Sequence, residues 1–460
     1  MSTQSITPGE KASKRAYVYP PGFKHNGLFY LFARFRRRDP IEFFTTLEKK
    51  YGCAAHYRLG PEHFVFINDV DYIREILVTQ AANFRKERTQ QRMKILVGEG
   101  LITSDGDFHM RQRRIAQPAF HRKRIQHYGE LMVERALASR AQFRDGETRD
   151  LSLDMMDLTL SVVAKTLFDT DVTDSVRTIN SEVNAIMGLY NFLVALPKAE
   201  LFLGLPFPRL RRFRQARKRL DEIVYQMIDE HRTGGVDRGD LLSMLLEARD
   251  EETGEGMSEE QIRDEAMTIF LAGYETMANA LTWTWYCLSQ NPKAEARMHE
   301  EIDSVLKGRV PEFADLPNLK YVEMVMAETM RLYPPAWIMG RKAIDDFDLG
   351  PYHLPAGSSV FMSQYIMHRN PEYFPDPERF NPARFTTEAK ANRPRFAYFP
   401  FGGGARQCIG ESFAWMEGVL LLATIAQQWK FRLVPGHPVE PLALITLRPK
   451  FGMKMVIERR

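Results

Sequence analysis

Apolar and polar positions change their rhythm twice along the chain. Near the start, HYRLG (56–60) and HFVFIND (63–69) place apolar residues at alternating positions, the period of paired strands. From about residue 70 to 335 the apolar residues recur at helical intervals. Polar loops such as RTGGVDRGD (232–240) and ARDEETGEG (248–256) punctuate them. After 335, proline and glycine become frequent and short alternations return in DFDLGPYHLPAGSSVFMS (346–363) and ITLRPKFGMKMVIE (445–458). The pattern predicts a mainly α protein with β-regions at about 50–70, 346–363 and 430–458. No stretch is rich enough in linker residues to divide the chain, so one domain over 1–460 is expected.

One helix should be unusually long. Ser258 and Gln261 form a capping-box signature, and no proline follows until Pro292. About 30 helical residues span roughly 45 Å, enough to cross a domain. Its middle reads FLAGYETMANALTW (270–283). Gly273 in mid-helix costs about 1 kcal/mol relative to alanine. It answers either to close packing against a neighbouring helix or to a hollow for a small ligand. Glu275 and Thr276 follow, an acid beside a hydroxyl in an apolar stretch, and such a pair can relay protons.

Composition narrows the class. Hydrophobic residues make up 44% and charged residues 27%, which suits a globular protein with a large core. A net charge of +4 gives no argument for nucleic acid. Cys53, Cys287 and Cys408 are too few for a disulfide framework or a four-cysteine cluster, and no CxxC occurs. That usage points to a reducing, cytoplasmic setting. The N-terminal MSTQSITPGEKASKR lacks the apolar core of a signal peptide. GLFYLF (27–32) is too short to span a bilayer, and the run 414–428 is interrupted by Glu417 and Gln427. No transmembrane anchor is expected.

Two further stretches carry chemistry. In MAETMRLYPP (326–335), Glu328 and Arg331 are spaced i, i+3 ahead of a turn forced by Pro334 and Pro335. An exposed pair of this kind is worth a few tenths of a kcal/mol, roughly; a buried one could scaffold the chain beyond the turn. FGGGARQCIG (401–410) surrounds Cys408 with glycines. It lacks the Lys-Ser/Thr ending of a phosphate loop. Glycines let backbone wrap a sulfur, and a helix N-terminus stabilises a thiolate. A cysteine so held suits one axial bond to a heme iron.

These motifs together resemble the cytochrome P-450 family, of soluble bacterial type. Phe401, Gly404, Arg406, Cys408 and Gly410 match its FxxGxRxCxG signature; AGYET (272–276) resembles its (A/G)Gx(D/E)T motif; Glu328 and Arg331 fit ExxR. The likeness covers essentially the whole chain. It implies a mainly α fold with a long central helix over heme b (iron protoporphyrin IX), ligated by Cys408. The family's DPxxFxPxRF spacing fits Asp376 to Phe385, so Arg384, not Arg379, is expected to join Glu328 and Arg331 in a structural triad.

The resemblance also assigns the remaining roles. His109 and Arg113 in HMRQRRIAQPAF (109–120), with Arg341 and Arg406, should meet the heme propionates, while Arg111 and Arg114 should form a solvated face. Phe401, Gly410 and Ala272 should lie against the cofactor. Thr276 should hydrogen-bond dioxygen or an ordered water, and Glu275 should link that site to solvent protons. Phe270, Ala336, Trp337, Ile338, Leu444 and Ile445 should line the substrate pocket, with segments 84–101 and 186–208 capping the entrance. NFLVALPKAELFLGLPFP (191–208) either touches a membrane surface or packs as an ordinary helix.

The implied activity is a heme-thiolate monooxygenase, an oxidoreductase placing one atom of O2 into a lipophilic small molecule by hydroxylation or epoxidation. The 460 residues hold no flavin or ferredoxin module, so electrons should come from a ferredoxin or flavodoxin with its reductase. The protein is expected to be a monomer. The alternatives are a peroxide-driven peroxygenase or reductant-independent isomerase or dehydratase on the same fold, and, more remotely, a non-catalytic heme sensor.

Overall fold

A computed structural model of the chain describes residues 15–23, 39–120, 122–170, 178–183, 185, 186, 189, 205–234, 238–250 and 254–460. Its axis is the helix Glu259–Gln290, 32 residues long. It opens on a complete capping box in which Ser258 and Gln261 satisfy each other's backbone N–H groups. The helix Leu151–Phe168 packs along its middle. A Cβ placed on Gly273 would meet Val163 Cγ2 of that helix at 2.9 Å, so close helix packing accounts for the glycine.

Helices Arg122–Arg140 and Glu411–Ala426 complete the main core, which extends to strand Trp429–Leu433. Between Ile262 and Trp285 every residue of the long helix is buried except Ala272, Gly273 and Thr276. Spaced i, i+1 and i+4, those three share one face.

A five-stranded sheet lies to one side, in the order Ala54–Leu59, Glu62–Ile67, Ser359–Met362, Met339–Ala343, Phe84–Lys86. The second and third of these run parallel, Val65 opposite Val360; the other pairs are antiparallel. A three-stranded sheet joins Thr148–Asp150, Lys454–Arg459 and Trp429–Leu433. Two hairpins remain, Phe347–Leu349 with Tyr352–Leu354, and Pro441–Ala443 with Leu447–Pro449.

The strands fall within or at the edges of the three regions that the alternation marked, except three: 84–86, 148–150 and 339–343. Strands 84–86 and 148–150 lie inside the stretch read as helical. Three residues are too few to establish a period of two; each is a strand because a distant partner pairs with it. Most of segment 186–208 and all of GLFYLF (27–32) lie outside the described residues. Among the described residues, no helix is long and apolar enough to cross a membrane.

Candidate active site

The Cys408 loop is shaped by its own backbone. Cys408 N–H donates to Phe401 O at 3.0 Å and Gln407 N–H to Gly404 O at 3.1 Å. Gly404 has φ +70°, and a Cβ there would collide with the carbonyl oxygen of Leu77, so only glycine fits. Gly410 caps the helix Glu411–Ala426, whose N-terminus thus starts beside the sulfur. Phe401 packs on the cluster of Met277, Ala280, Met326 and Met330, which seats the loop beneath the long helix one residue beyond Thr276.

Cys408 is exposed, yet enough protein surrounds it that burial pushes its thiol up to about 11. The Gly410 N–H and Arg113 pull the other way, and Glu411 adds to the rise. A side chain both accessible and surrounded opens on interior space rather than on the outer surface.

Basic groups gather around the same interior. Arg341 is buried, and burial with the neighbouring Arg406 lowers it to about 10. Lys86 is lowered to about 7 by burial and by Arg406, and donates to Leu101 O. Arg113 donates from Nη1 to Gln407 O at 2.7 Å, tying the helix Gly106–Ala116 to the cysteine loop. His109 is lowered to about 3 by burial and then by Lys86, Arg406, Arg113 and Arg341, so its ring is neutral. Its Nδ1 meets Ser104 Oγ at 3.2 Å, while Nε2 is buried without a partner among the described residues.

Asp105 pairs with Arg406, and Glu265, pushed up to about 7 by burial, lies near Lys86. Buried cations in such excess call for anionic partners. Two propionates meet that need through charge-assisted bonds, and the thiol beside them suits the iron, so these residues fit heme. Lys86 was not singled out from the sequence: it stands in the strand Phe84–Lys86, which has no motif of its own.

Over this region three segments converge. Glu275 Oε1 accepts from Thr446 Oγ1 and from Arg448 Nε and Nη2, at 2.8 and 2.6 Å for the guanidinium. Leu447 N–H donates to Pro335 O at 3.0 Å, and Trp337 Nε1 donates to Leu444 O at 2.8 Å. Thr276 follows Glu275, Ala336 lies between Pro335 and Trp337, and Leu444 and Ile445 precede Thr446. These bonds therefore hold the three segments to one another. Ala336 is exposed, and Ile338, Leu444 and Ile445 are half-buried. Thr276 Oγ1 donates back to Ala272 O at 2.8 Å on the accessible face of the helix.

Two residues expected in the pocket sit elsewhere. Phe270 is buried against Phe168 and Tyr274, at ring distances of 5.8 and 6.0 Å. Two residues before Ala272, it points to the far side of the helix. Trp337 is buried too, against Phe44, and supports the pocket through its indole N–H rather than lining it. Arg111, expected on a solvated face, is half-buried and donates to the buried Asp250 at 3.2 Å; Arg114 is exposed within 3.6 Å of the same carboxylate.

The ExxR segment is a buried scaffold. Arg331 donates Nε to Glu328 Oε2 at 2.7 Å and Nη2 to Oε1 at 2.8 Å; its Nη1 reaches His368 O at 2.9 Å. Arg384 Nε lies 3.4 Å from Glu328 Oε1. Arg379 is exposed and contributes only its carbonyl, to Arg331 Nη2 at 3.3 Å. Asn381 N–H completes the set at 2.8 Å from Glu328 Oε1.

Comparison with known proteins decides the family. A sequence model described as Cytochrome P-450 matches residues 20–454. The chain belongs to the cytochrome P-450 family.

This cytochrome P-450 is 38% identical over 434 residues to cyclooctatin synthase of Streptomyces melanosporofaciens, covering 94% of each chain. Cyclooctat-9-en-7-ol 5-monooxygenase of the same organism is 37% identical, covering 87% of this chain and 86% of that one. Pentalenene oxygenase of Streptomyces avermitilis is 34% identical, covering 89% and 91%. The crystal structure of the cytochrome P-450DA heme domain superposes with a TM-score of 0.86 at 26% identity, covering 97% of this chain and 99% of that one. The protein is thus a heme-thiolate monooxygenase, an oxidoreductase carrying heme b. It acts with O2 and a redox partner on a lipophilic molecule.

Proposed function

We propose that this cytochrome P-450 hydroxylates or epoxidises a cyclic terpenoid, using electrons from a ferredoxin or flavodoxin and its reductase. The observation that carries the reading is that the apolar residues Ala336, Leu444 and Ile445 stand on two segments bonded to each other and, through Glu275, to the long helix at the residue before Thr276, which together offer an apolar wall. Such a wall selects by shape and offers few polar contacts. The names of the relatives, among them a cyclooctat-9-en-7-ol monooxygenase and a pentalenene oxygenase, support a compact ring system.

Cys408 is assigned as the axial ligand. His109, Arg113, Arg341, Arg406 and Lys86 are assigned to the propionate side, and Phe401, Gly410 and Ala272 to contacts with the ring. Heme held by a thiolate supplies the electron-rich iron chemistry that favours O–O cleavage. The protein's part is to exclude water, orient the substrate and hold a proton at Thr276 Oγ1. That hydroxyl now donates to Ala272 O and can turn its proton toward the accessible side by rotating about one bond. The chain is proposed to act as one domain and as a cytoplasmic monomer. Binding of an acidic redox partner to a basic face near Cys408 should weaken as salt rises.

The test is a titration of cyclic terpene hydrocarbons and straight-chain fatty acids, read by the heme spin-state shift. Tight, saturable shifts are expected for the cyclic compounds, with turnover that requires NAD(P)H and a reductase. A preference for straight chains, or full turnover with peroxide alone, would overturn the proposal.

A further inference from the structure

The acid of AGYET bonds the closing hairpin, while its neighbouring hydroxyl bonds back to Ala272 O. Glu275, Asn279 and Trp283 are spaced i, i+4 and i+8, one stripe on the long helix. Each bonds the closing hairpin within residues 446–448. Glu275 takes Thr446 and Arg448; Asn279 Nδ2 donates to Thr446 Oγ1 at 3.2 Å; Trp283 Nε1 donates to Leu447 O at 3.1 Å. Trp337 and Pro335 bind the same hairpin at Leu444 and Leu447. Glu275, Asn279, Trp283 and Leu447 are all buried.

We propose that Glu275 and Asn279 form a latch that fixes how far the hairpin tip, Leu444–Ile445, reaches into the substrate pocket, and so sets which carbon meets the oxidant. Glu275 is thereby a positioning residue for specificity. This rests on the monooxygenase reading above.

Glu275 Oε1 accepts from the Thr446 hydroxyl and from the Arg448 guanidinium, so this oxygen is directed at the hairpin. Leu444 and Ile445 carry the only apolar side chains between the two strands of the hairpin, and both stay half-buried where Thr446 and Leu447 are buried. Their depth is decided by the bonds on either side, because a hairpin with three-residue strands has little stiffness of its own. Small displacements of a substrate relative to a reactive centre change rates steeply. A loosened tip should therefore spread oxidation over neighbouring carbons.

The experiment compares Glu275→Gln, Asn279→Ala and Trp337→Phe with the parent and with Thr276→Ala, all heme-loaded. The probe is a cyclic terpene hydrocarbon that shifts the spin state. Product ratios are measured, together with product formed per reductant consumed and hydrogen exchange at amides 441–449.

For Glu275→Gln, Asn279→Ala and Trp337→Phe the proposal expects product ratios to change by about threefold or more and faster exchange across the hairpin, with coupling close to the parent in Asn279→Ala. Thr276→Ala should lower coupling and leave exchange unchanged. If Glu275→Gln keeps the parent's product ratio and exchange while coupling collapses, the latch is refuted and a proton role stands. Because Asn279→Ala and Trp337→Phe leave the carboxylate intact, unchanged ratios and exchange in both would also overturn it. Failure of the underlying reading shows separately, as the absence of a thiolate-type spectrum in the reduced, carbon monoxide-bound parent. The exchange measurement then still judges the latch.

Discussion

Arg331 grips Glu328 through two parallel hydrogen bonds, at 2.7 and 2.8 Å, with neither side chain exposed to solvent. Arg384 approaches the same carboxylate from the short helical turn Pro382–Phe385, and Arg331 reaches on to His368 O, so the pair ties the helix Lys320–Leu332 to the chain that leads into the cysteine loop. Removing one partner strands the other charge, at a cost of about 3–5 kcal/mol. Glu328→Ala and Arg331→Ala should therefore yield little heme-loaded protein, and Arg379→Ala should load almost normally. The ratio of heme to protein absorbance after purification checks this. Equal loading in all three would remove the triad assignment.

Thr276 is the one hydroxyl on the accessible strip of the long helix. Thr276→Ala should raise peroxide released per reductant consumed, and Thr276→Ser should restore most of the coupling. Coupling in the alanine variant equal to the parent's would take Thr276 out of the proton path.

Gly273 sets the spacing of two helices. Alanine there gains about 1 kcal/mol of helix propensity. The added Cβ meets Val163 Cγ2 at 2.9 Å, and overpacking of a tight contact costs about 1–3 kcal/mol. Gly273→Ala should lower the midpoint of thermal unfolding, and Val163→Ala in the same chain should recover part of the loss. A more stable single variant would mean the helices separate without strain.

Glu417 is buried on the helix after Cys408, both its oxygens without a partner among the described residues, and burial holds its carboxyl well above the usual carboxylate range. The folded form thus keeps a proton that the unfolded chain releases. Stability from this group is full in acid and declines as the pH climbs toward the raised value, by about 1.4 kcal/mol per unit. Glu417→Gln removes that decline. Its unfolding free energy relative to the parent should grow as the pH rises above the usual carboxylate range. A difference independent of pH would show that the acid is compensated.

The cysteine loop and the ExxR pair were legible because their chemistry demands fixed residue types at short spacings. A sulfur wrapped by backbone needs glycines within a few residues, and an i, i+3 ion pair needs one turn of helix. The long helix was equally plain, since Ser258 and Gln261 cap it locally and Pro292 sits just past its end. Lys86, Asn381 and the strand 148–150 were not legible. Lys86 acquires its setting from Arg406 and Arg341, more than two hundred residues away in the chain.

The acid of the AGYET motif draws the same boundary. Residue order alone established that Glu275 and Thr276 stand side by side on a helix near Gly273, because helical phase and capping are settled within a few residues. Whether that carboxylate would face the hydroxyl, the solvent or the closing hairpin depended on Thr446 and Arg448 arriving from the far end of the chain. Contacts between distant segments are chosen by packing and by the need to pair buried polar groups, and neighbouring letters do not record them.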